Sequence, residues 1–203
     1  SSAVFMDMKP SVSPYFAPEI WKASAMSKEM AMFYRIPTFG KAGAGDAKAL
    51  DQQAGIEIGI SILIEEFIGD NLIHDMGYLE SGLTANLESL VICNEVVDFV
   101  RKITRGVDFS SECLALDLID QVGPEGNYLT EKHTLKHFRN EFWFPQLLDH
   151  NNYDGWIAEG RKILAEKAHQ EAKKILQDHT PEPLDSAIKE KFDEILQRGK
   201  ENL

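Results

Sequence analysis

An apolar stretch of strand length, a loop and a helix-length run follow one another three times before residue 106, and that order admits few folds. The first unit starts with SSAVFMDM, passes through the loop KPSVSPYFAPE, and continues into IWKASAMSKEMAMFYR. In that last run Ile20, Ala23, Met26, Met30 and Phe33 recur at helical spacing. A strand at Ile36–Phe39 then meets a glycine-rich turn, and a helix is expected from near Ala47 to Gly69 with Asp46 as its cap. NLIHDMG reads as the third strand, YLESGLTAN as its loop, and LESLVICNEVVDFVRKITRG as a helix that stops on basic residues and Gly106. Strands alternating with helices imply a parallel sheet with right-handed crossovers, an α/β fold. Beyond Gly106 the pattern is helical: a serine-capped SSECLALDLIDQVG, one long amphipathic helix over 153–177, and another over 184–199. The proline-bearing DHTPEPLD links the last two.

Three parallel strands cannot close a barrel, and an eight-stranded βα barrel takes about 250 residues, more than the 203 present. An open sheet of that size has bare edges. The chain also begins directly in an apolar strand without a methionine. It therefore reads as the C-terminal portion of something larger, with residues 1–106 as βα units and 107–203 as a helical extension. At 43% hydrophobic and 27% charged, the composition is that of a globular chain. The net charge of −12 argues against nucleic-acid binding, which draws its affinity from Lys and Arg on phosphates. An acidic field concentrates cationic substrates or simply keeps a protein in solution. Cys93 and Cys113 belong to no metal-ligand pattern and read as buried, reduced thiols. With no bilayer-length apolar run and no leader, the expectation is a cytoplasmic protein without membrane contact.

Residues 131–156, EKHTLKHFRNEFWFPQLLDHNNYDGW, raise a separate question. His133 and His137 are four apart and can share a helix face. HTLKH lacks the glutamate of HExxH, and Lys136 sits inside it. A zinc site needs a third ligand; Glu141 and His150 are candidates, and the sequence selects neither. The other reading, and the one preferred, assigns no metal. It makes the segment a strap in which Phe138, Phe142, Trp143 and Phe144 bury apolar area and Arg139 pairs with a carboxylate. The strap histidines are then structural or face a partner. Gly40, Gly43 and Gly45 do not form a dinucleotide fingerprint. Met26, Met30 and Met32 are expected in core or interface packing.

Three blocks carry a resemblance: AGAGDAKALDQQAGIE (42–57), NLIHDMGYLESGLTANLESLV (71–91), and the run His-Thr-x-x-His-Phe-Arg-x-Glu-x-Trp-x-Pro from His133 to Pro145, reaching Tyr153 and Trp156. In this order they resemble the C-terminal part of the trimethylamine methyltransferase family. His150 departs from the pattern, where a basic Arg is expected after Asp149. The resemblance implies the C-terminal part of a (β/α)8 TIM-type barrel with a helical extension. It also implies methyl transfer from a methylated amine to the Co(I) corrinoid of a cognate partner protein, in the one-carbon metabolism of methanogenesis, with a homo-oligomeric enzyme. Members that use trimethylamine carry pyrrolysine in this half; this sequence contains only the twenty usual residues, which favours a quaternary amine such as glycine betaine. A quaternary ammonium donates no hydrogen bond, so aromatic faces and carboxylates must hold it. Such groups belong at the C-terminal ends of barrel strands, where this chain has Asp7, Phe39, Asp46, His74, Asp75 and Tyr78. Phe39, Asp46, His74, Asp75 and Tyr78 are the expected substrate-binding residues. Two of them have simpler roles open: Asp46 as a helix cap, like Asp51, and His74 as hydrogen-bonded scaffold. The alternative functions are a metal-binding, hydrolase-like module at His133 and His137, or a non-catalytic fragment.

Overall fold

The computed structural model describes residues 4–201. Helix α1 (Pro18–Tyr34) starts on a proline at its first turn and ends at Arg35 in the left-handed conformation. It buries Ile20, Trp21 and Ala31, whereas Met26, Met30 and Met32 lie on the exposed side. Strand β1 (Phe39–Lys41) pairs in parallel with β2 (Leu72–His74) in the register Phe39↔Leu72, Gly40↔Ile73, Lys41↔His74. The second strand pairs later than Ile36–Phe39 for a local reason. Pro37 has no N–H to give, and the Thr38 N–H is taken by the Asn71 side chain at 2.9 Å. The expected strand at residues 3–7 does not join this sheet. Ser1 to Ala3 lie outside the described residues, and Asp7 makes only an isolated antiparallel bridge to Val12. The turn between them explains why: Asp7 accepts from the Lys9 N–H, Pro10 follows, and Ser11 is left-handed.

Helix α2 (Gln52–Ile68) begins five residues after the expected start at Ala47. Its cap is Asp51, whose carboxylate accepts the Gln53 and Ala54 N–H groups, and Asp46 is not the cap. Residues 42–47 cannot enter the helix because their backbone is bonded elsewhere. Ala42 N–H donates to His74 O, Gly45 N–H to Tyr78 O, and Ala47 O accepts from Glu80 N–H. The face that α2 turns toward this segment is polar: Glu57, Ser61 and Glu65, at successive turns, are all buried. Glu57 accepts the Ala47 N–H at 3.0 Å, and Ser61 Oγ accepts the Gly43 N–H at 2.9 Å. The Glu65 carboxyl faces that of Asp70 across Gly40. A Cβ at Gly45 would strike the Glu57 carboxylate, and one at Gly40 the Glu65 and Asp70 carboxyls. Gly43 has φ 67°, and a Cβ there would meet Cys93 Sγ at 2.7 Å.

After β2, Tyr78–Leu79 (β3) and Thr84–Ala85 (β4) form a small antiparallel hairpin around Glu80–Gly82, where the sequence suggested only a loop. Glu80 and Ser81 are left-handed there, held by the bonds of Thr84 Oγ1 to Glu80 and of Ser81 Oγ to Asp46. Helix α3 (Leu87–Thr104), capped by Asn86, packs Ile92, Cys93 and Val100 on Ile58 and Ile62 of α2. Burial in this core raises the Cys93 thiol to about 11, so it is a packing group; Cys113 is only half-buried.

The helical remainder comprises α4 (Ser111–Leu114), α5 (Leu116–Val122), α6 (Lys132–Glu141), α7 (Tyr153–Ala158), α8 (Leu164–Asp178) and α9 (Ser186–Glu201). The single helix expected over 110–123 is broken by left-handed Ala115, and the one over 153–177 by Gly160 and Arg161, both at positive φ. The strap after α6 docks on α3. Buried Glu95 accepts the N–H groups of Gln146, Leu147 and Leu148, and Trp143 donates to Asp98 at 2.8 Å while stacking edge-on with Phe99. Arg139 lies over the Phe138 ring, with no carboxylate partner among the described residues. Two compact units can be distinguished, one ending at Ala172 and the other starting at Lys173 with the end of α8 and α9. Among the described residues, no helix is long and apolar enough to cross a membrane.

Two measurements test the polar clamp of α2. Gly45→Ala forces a methyl into the Glu57 carboxylate and is expected to cost about 1–3 kcal/mol in urea unfolding. Gly59→Ala, in open space on the same helix, is expected to stabilise by about 0.5–1 kcal/mol. Equal effects would show that the clamp contributes nothing.

Burial, then the hydrogen bond and charge of Asp70, raise the Glu65 carboxyl from 4.5 to about 8. The folded state thus keeps a proton that the unfolded chain releases. Stability is full below about pH 4.5 and falls as pH rises through 8. Glu65→Gln is expected to flatten that decline and to be the more stable protein at pH 8, by more than about 1 kcal/mol. Parallel pH profiles for the two proteins would refute the assignment.

Candidate functional site

The C-terminal ends of β1 and β2 bring together side chains that are far apart in sequence. Period-two alternation puts Phe39 and Lys41 on one face of β1. The Phe39 ring stacks on His74 of β2, with centroids 4.2 Å apart and planes within 16°. His74 Nδ1 lies 2.6 Å from Asp75 Oδ1, so the carboxylate fixes the orientation of the imidazole. Asp75 is left-handed and opens a turn closed by the Tyr78 N–H on its carbonyl. Gly77, also left-handed, has Leu90 where a side chain would stand.

On the other side of the cleft, the Pro-rich N-terminal loop lays Tyr15 against Gly82. Lys41 Nζ sits 3.9 Å above the Tyr15 ring, a cation–π contact. Burial lowers the Lys41 pKa, opposed by Asp75 and Asp46. Burial, Asp75 and Tyr78 all raise that of Tyr15. These couplings place Tyr15, Lys41, Asp75 and Tyr78 in one neighbourhood, with Phe39 and His74 at its margin. This cluster is open to solvent, with Phe39 57% and Tyr78 37% exposed.

Asp46 occupies a different position. Its Oδ1 accepts the Tyr15 N–H at 2.7 Å and the Ser81 hydroxyl at 2.6 Å, and its Oδ2 accepts the Phe16 N–H at 2.9 Å. Burial would raise its pKa, but the bonds from Ser81, Tyr15 and Phe16 outweigh that and hold it below the usual range. Asp46 thus ties the N-terminal loop to the β3–β4 hairpin. Asp7 lies in its own turn. Sequence reasoning missed Tyr15, Lys41 and Ser81. Lys41 could have been found, being two residues from Phe39 on a strand; nothing local marks Tyr15 or Ser81, which arrive across 31 and 35 residues from Asp46.

The parallel βαβ unit, with aromatic rings, a carboxylate and an ammonium near its strand ends, makes the chain an α/β protein. Sequence comparison gives the family: the model of trimethylamine methyltransferase (MTTB) matches residues 2–203. The chain belongs to this trimethylamine methyltransferase family. It is 34% identical over 188 residues to the trimethylamine methyltransferase MttB of Desulfitobacterium hafniense, covering 93% of this chain and 38% of that protein. The Methanosarcina thermophila MttB is 36% identical, with 93% and 39% covered. A glycine betaine methyltransferase from Desulfitobacterium hafniense is 32% identical over 203 residues, 99% of this chain and 42% of the relative. The chain therefore spans about two fifths of the length of these relatives.

Asp46→Asn keeps one acceptor oxygen but turns an amide toward one of the N–H groups it now binds. It is expected to lose about 1–3 kcal/mol of stability at neutral pH and to expose the loop around Tyr15 to proteolysis. With the folded carboxyl depressed, that contribution is present above the ordinary aspartate range and lost in acid, so wild type and variant should converge as pH falls through it. A pH-independent gap would show that the charge is irrelevant.

Proposed function

We propose that this chain is the C-terminal part of a methyltransferase that moves a methyl group from a methylated amine to the Co(I) corrinoid of a cognate partner protein. The observation that carries the reading is the rim cluster of Phe39, His74, Tyr15 and Tyr78 around Asp75, in a chain whose whole length matches the family. On this reading residues 1–106 contribute βα units to a (β/α)8 barrel, and residues 107–203 form its helical extension. The parallel succession β1–α2–β2–α3 supports that placement. So do the outward apolar side chains Ile56, Ile60 and Phe67 of α2, which suit a helix packed by further chain. The enzyme is cytoplasmic and homo-oligomeric on the same reading.

The corrinoid, brought by the partner, supplies the methyl acceptor. The exposed rings of Phe39 and Tyr78 leave room for the approach of a large planar group. The residues of this chain bind and orient the amine. Aromatic faces hold a quaternary ammonium, which has no N–H to offer, and Asp75 offsets its charge. Holding the C–N bond in one direction is the catalytic contribution expected here, because the departing amine is neutral and needs no proton. Lys41 narrows the substrate class. A second cation beside the ammonium site penalises a simple amine but can pair with the carboxylate of a zwitterion. Glycine betaine has both groups and trimethylamine has one.

The test is methyl transfer by the full-length protein to cob(I)alamin, with glycine betaine, carnitine and trimethylamine as donors. Tyr78→Ala is expected to cost about 0.5–2 kcal/mol of cation–π binding, a roughly two- to thirty-fold rise in apparent Kd. Lys41→Met is expected to weaken glycine betaine while leaving trimethylamine unchanged or improved. Activity with no methylated amine would end the proposal. Activity that persists unchanged in the Tyr78 and Lys41 variants would move the site away from this rim.

A further inference from the structure

Away from the rim, Glu112 of α4 meets His133 and His137 of α6, with one ligand atom from each lying within 4.8 Å of the others. The imidazoles, one helical turn apart, are stacked at 4.3 Å. His137 Nε2 is 2.9 Å from Glu112 Oε1, and His133 Nε2 is 2.7 Å from the Glu112 main-chain oxygen. Lys136 Nζ also reaches Glu112 Oε1, at 2.7 Å. The third member came from outside the histidine segment, which is why neither Glu141 nor His150 fills that place. Beside the cluster lies a cavity of about 430 Å³ lined by His133 and His137 together with Asp108, Cys113 and Glu141.

We propose that Glu112, His133 and His137 form a binding site for a divalent transition-metal ion of the zinc class, with a further coordination position open to the cavity. Two imidazole nitrogens and a carboxylate oxygen are a donor set for zinc and its neighbours rather than for calcium or magnesium. Ligand atoms about 2.0–2.2 Å from one ion stand roughly 3–3.5 Å apart, close to the 2.9 Å already separating His137 Nε2 and Glu112 Oε1. The ion would replace hydrogen bonds that now join α4 to α6, with His133 turning from the Glu112 carbonyl toward the metal. No carboxylate stands on the turn between the histidines, as a hydrolytic base would. The site therefore binds an ion and clamps two helices, and no hydrolysis is assigned to it.

Lys136 separates this site from a simple hydrogen-bonded tie. Its ammonium competes for Glu112 and repels a dication. Removing it strengthens a metal site, whereas a tie only loses a contact. The experiment is titration of the dialysed full-length protein with Zn(II), and with Co(II) followed by its visible absorption. One ion per chain is expected, together with a rise in Tm on zinc addition. His137→Ala and Glu112→Gln should each weaken binding by roughly 100-fold or more, and Lys136→Met should tighten it several-fold. Binding should weaken in acid, because protons compete for the imidazoles. Failure to take up one ion per chain overturns the proposal. So does wild-type affinity in folded His137→Ala and Glu112→Gln. If those variants lose their circular dichroism signal, unaltered or weaker affinity in Lys136→Met overturns it instead. None of the rim residues takes part, so the outcome leaves the methyl-transfer reading to its own test.

Discussion

The polar face of α2 governs the arrangement of the rest. A helix that packs on a strand ordinarily turns aliphatic side chains inward; here Glu57, Ser61 and Glu65 take those positions and bind or crowd the backbone between β1 and α2. The segment from Ala42 to Ala47 runs past the end of its strand and is bonded to His74 and to the residues that follow β2. Gly40, Gly43 and Gly45 are small for that reason, since each faces a side chain occupying the space of its missing Cβ. The geometry at the strand ends follows. Asp46, at the end of the held segment, receives the Tyr15–Phe16 backbone and Ser81, and Tyr15 is thereby set beneath the Lys41 ammonium.

A buried carboxylate organises the second half in a related way. Glu95 of α3 receives three consecutive N–H groups of the strap, a charged acceptor for donors that a turn cannot satisfy internally. Trp143 adds its indole bond to Asp98 and its contact with Phe99. The strap is thus anchored on the outer side of the helix that packs on α2, and α6 with its histidines is positioned relative to α4 by Glu112. Removing Glu95 would leave three backbone donors unpaired, a larger loss than any single surface ion pair represents.

The rim and the histidine cluster are chemically opposed. The rim joins aromatic faces to one carboxylate and one amine, which on the proposed reading serve an organic ion of low hydrogen-bonding capacity. The cluster offers lone pairs on nitrogen and oxygen, a setting for a hard-to-borderline metal cation. Each has an acidic side chain at its centre, Asp75 beside His74 in the one and Glu112 from a separate helix in the other, and in a chain of net charge −12 such side chains are plentiful. What distinguishes these few is the set of groups that face them.

The sequence by itself determined the local and periodic features. The helices α1, α2 and α3, the strand ending at His74, and its parallel order with a strand near Phe39 were legible from hydrophobic spacing, because burial of one face imposes that spacing wherever the element packs; the first of the two strands starts at Phe39, where the spacing had it end. His74 does close β2, but Phe39 opens β1 and Tyr78 opens β3. Tertiary structure decided the rest. Asp46 satisfies every local rule for a helix cap, yet its oxygens are taken by backbone N–H groups 31 and 30 residues away and by Ser81, so Asp51 caps instead. The stretch before Asp7 is apolar enough for a strand, but strand pairing is made by a neighbour and not by composition, and its described part has only Val12. The third partner of His133 and His137 was invisible because Glu112 lies in a separate helix, 21 residues before the first of them. Periodicity reports which face of an element is covered; which atoms cover it is settled only when distant segments compete for the same donors and the same space.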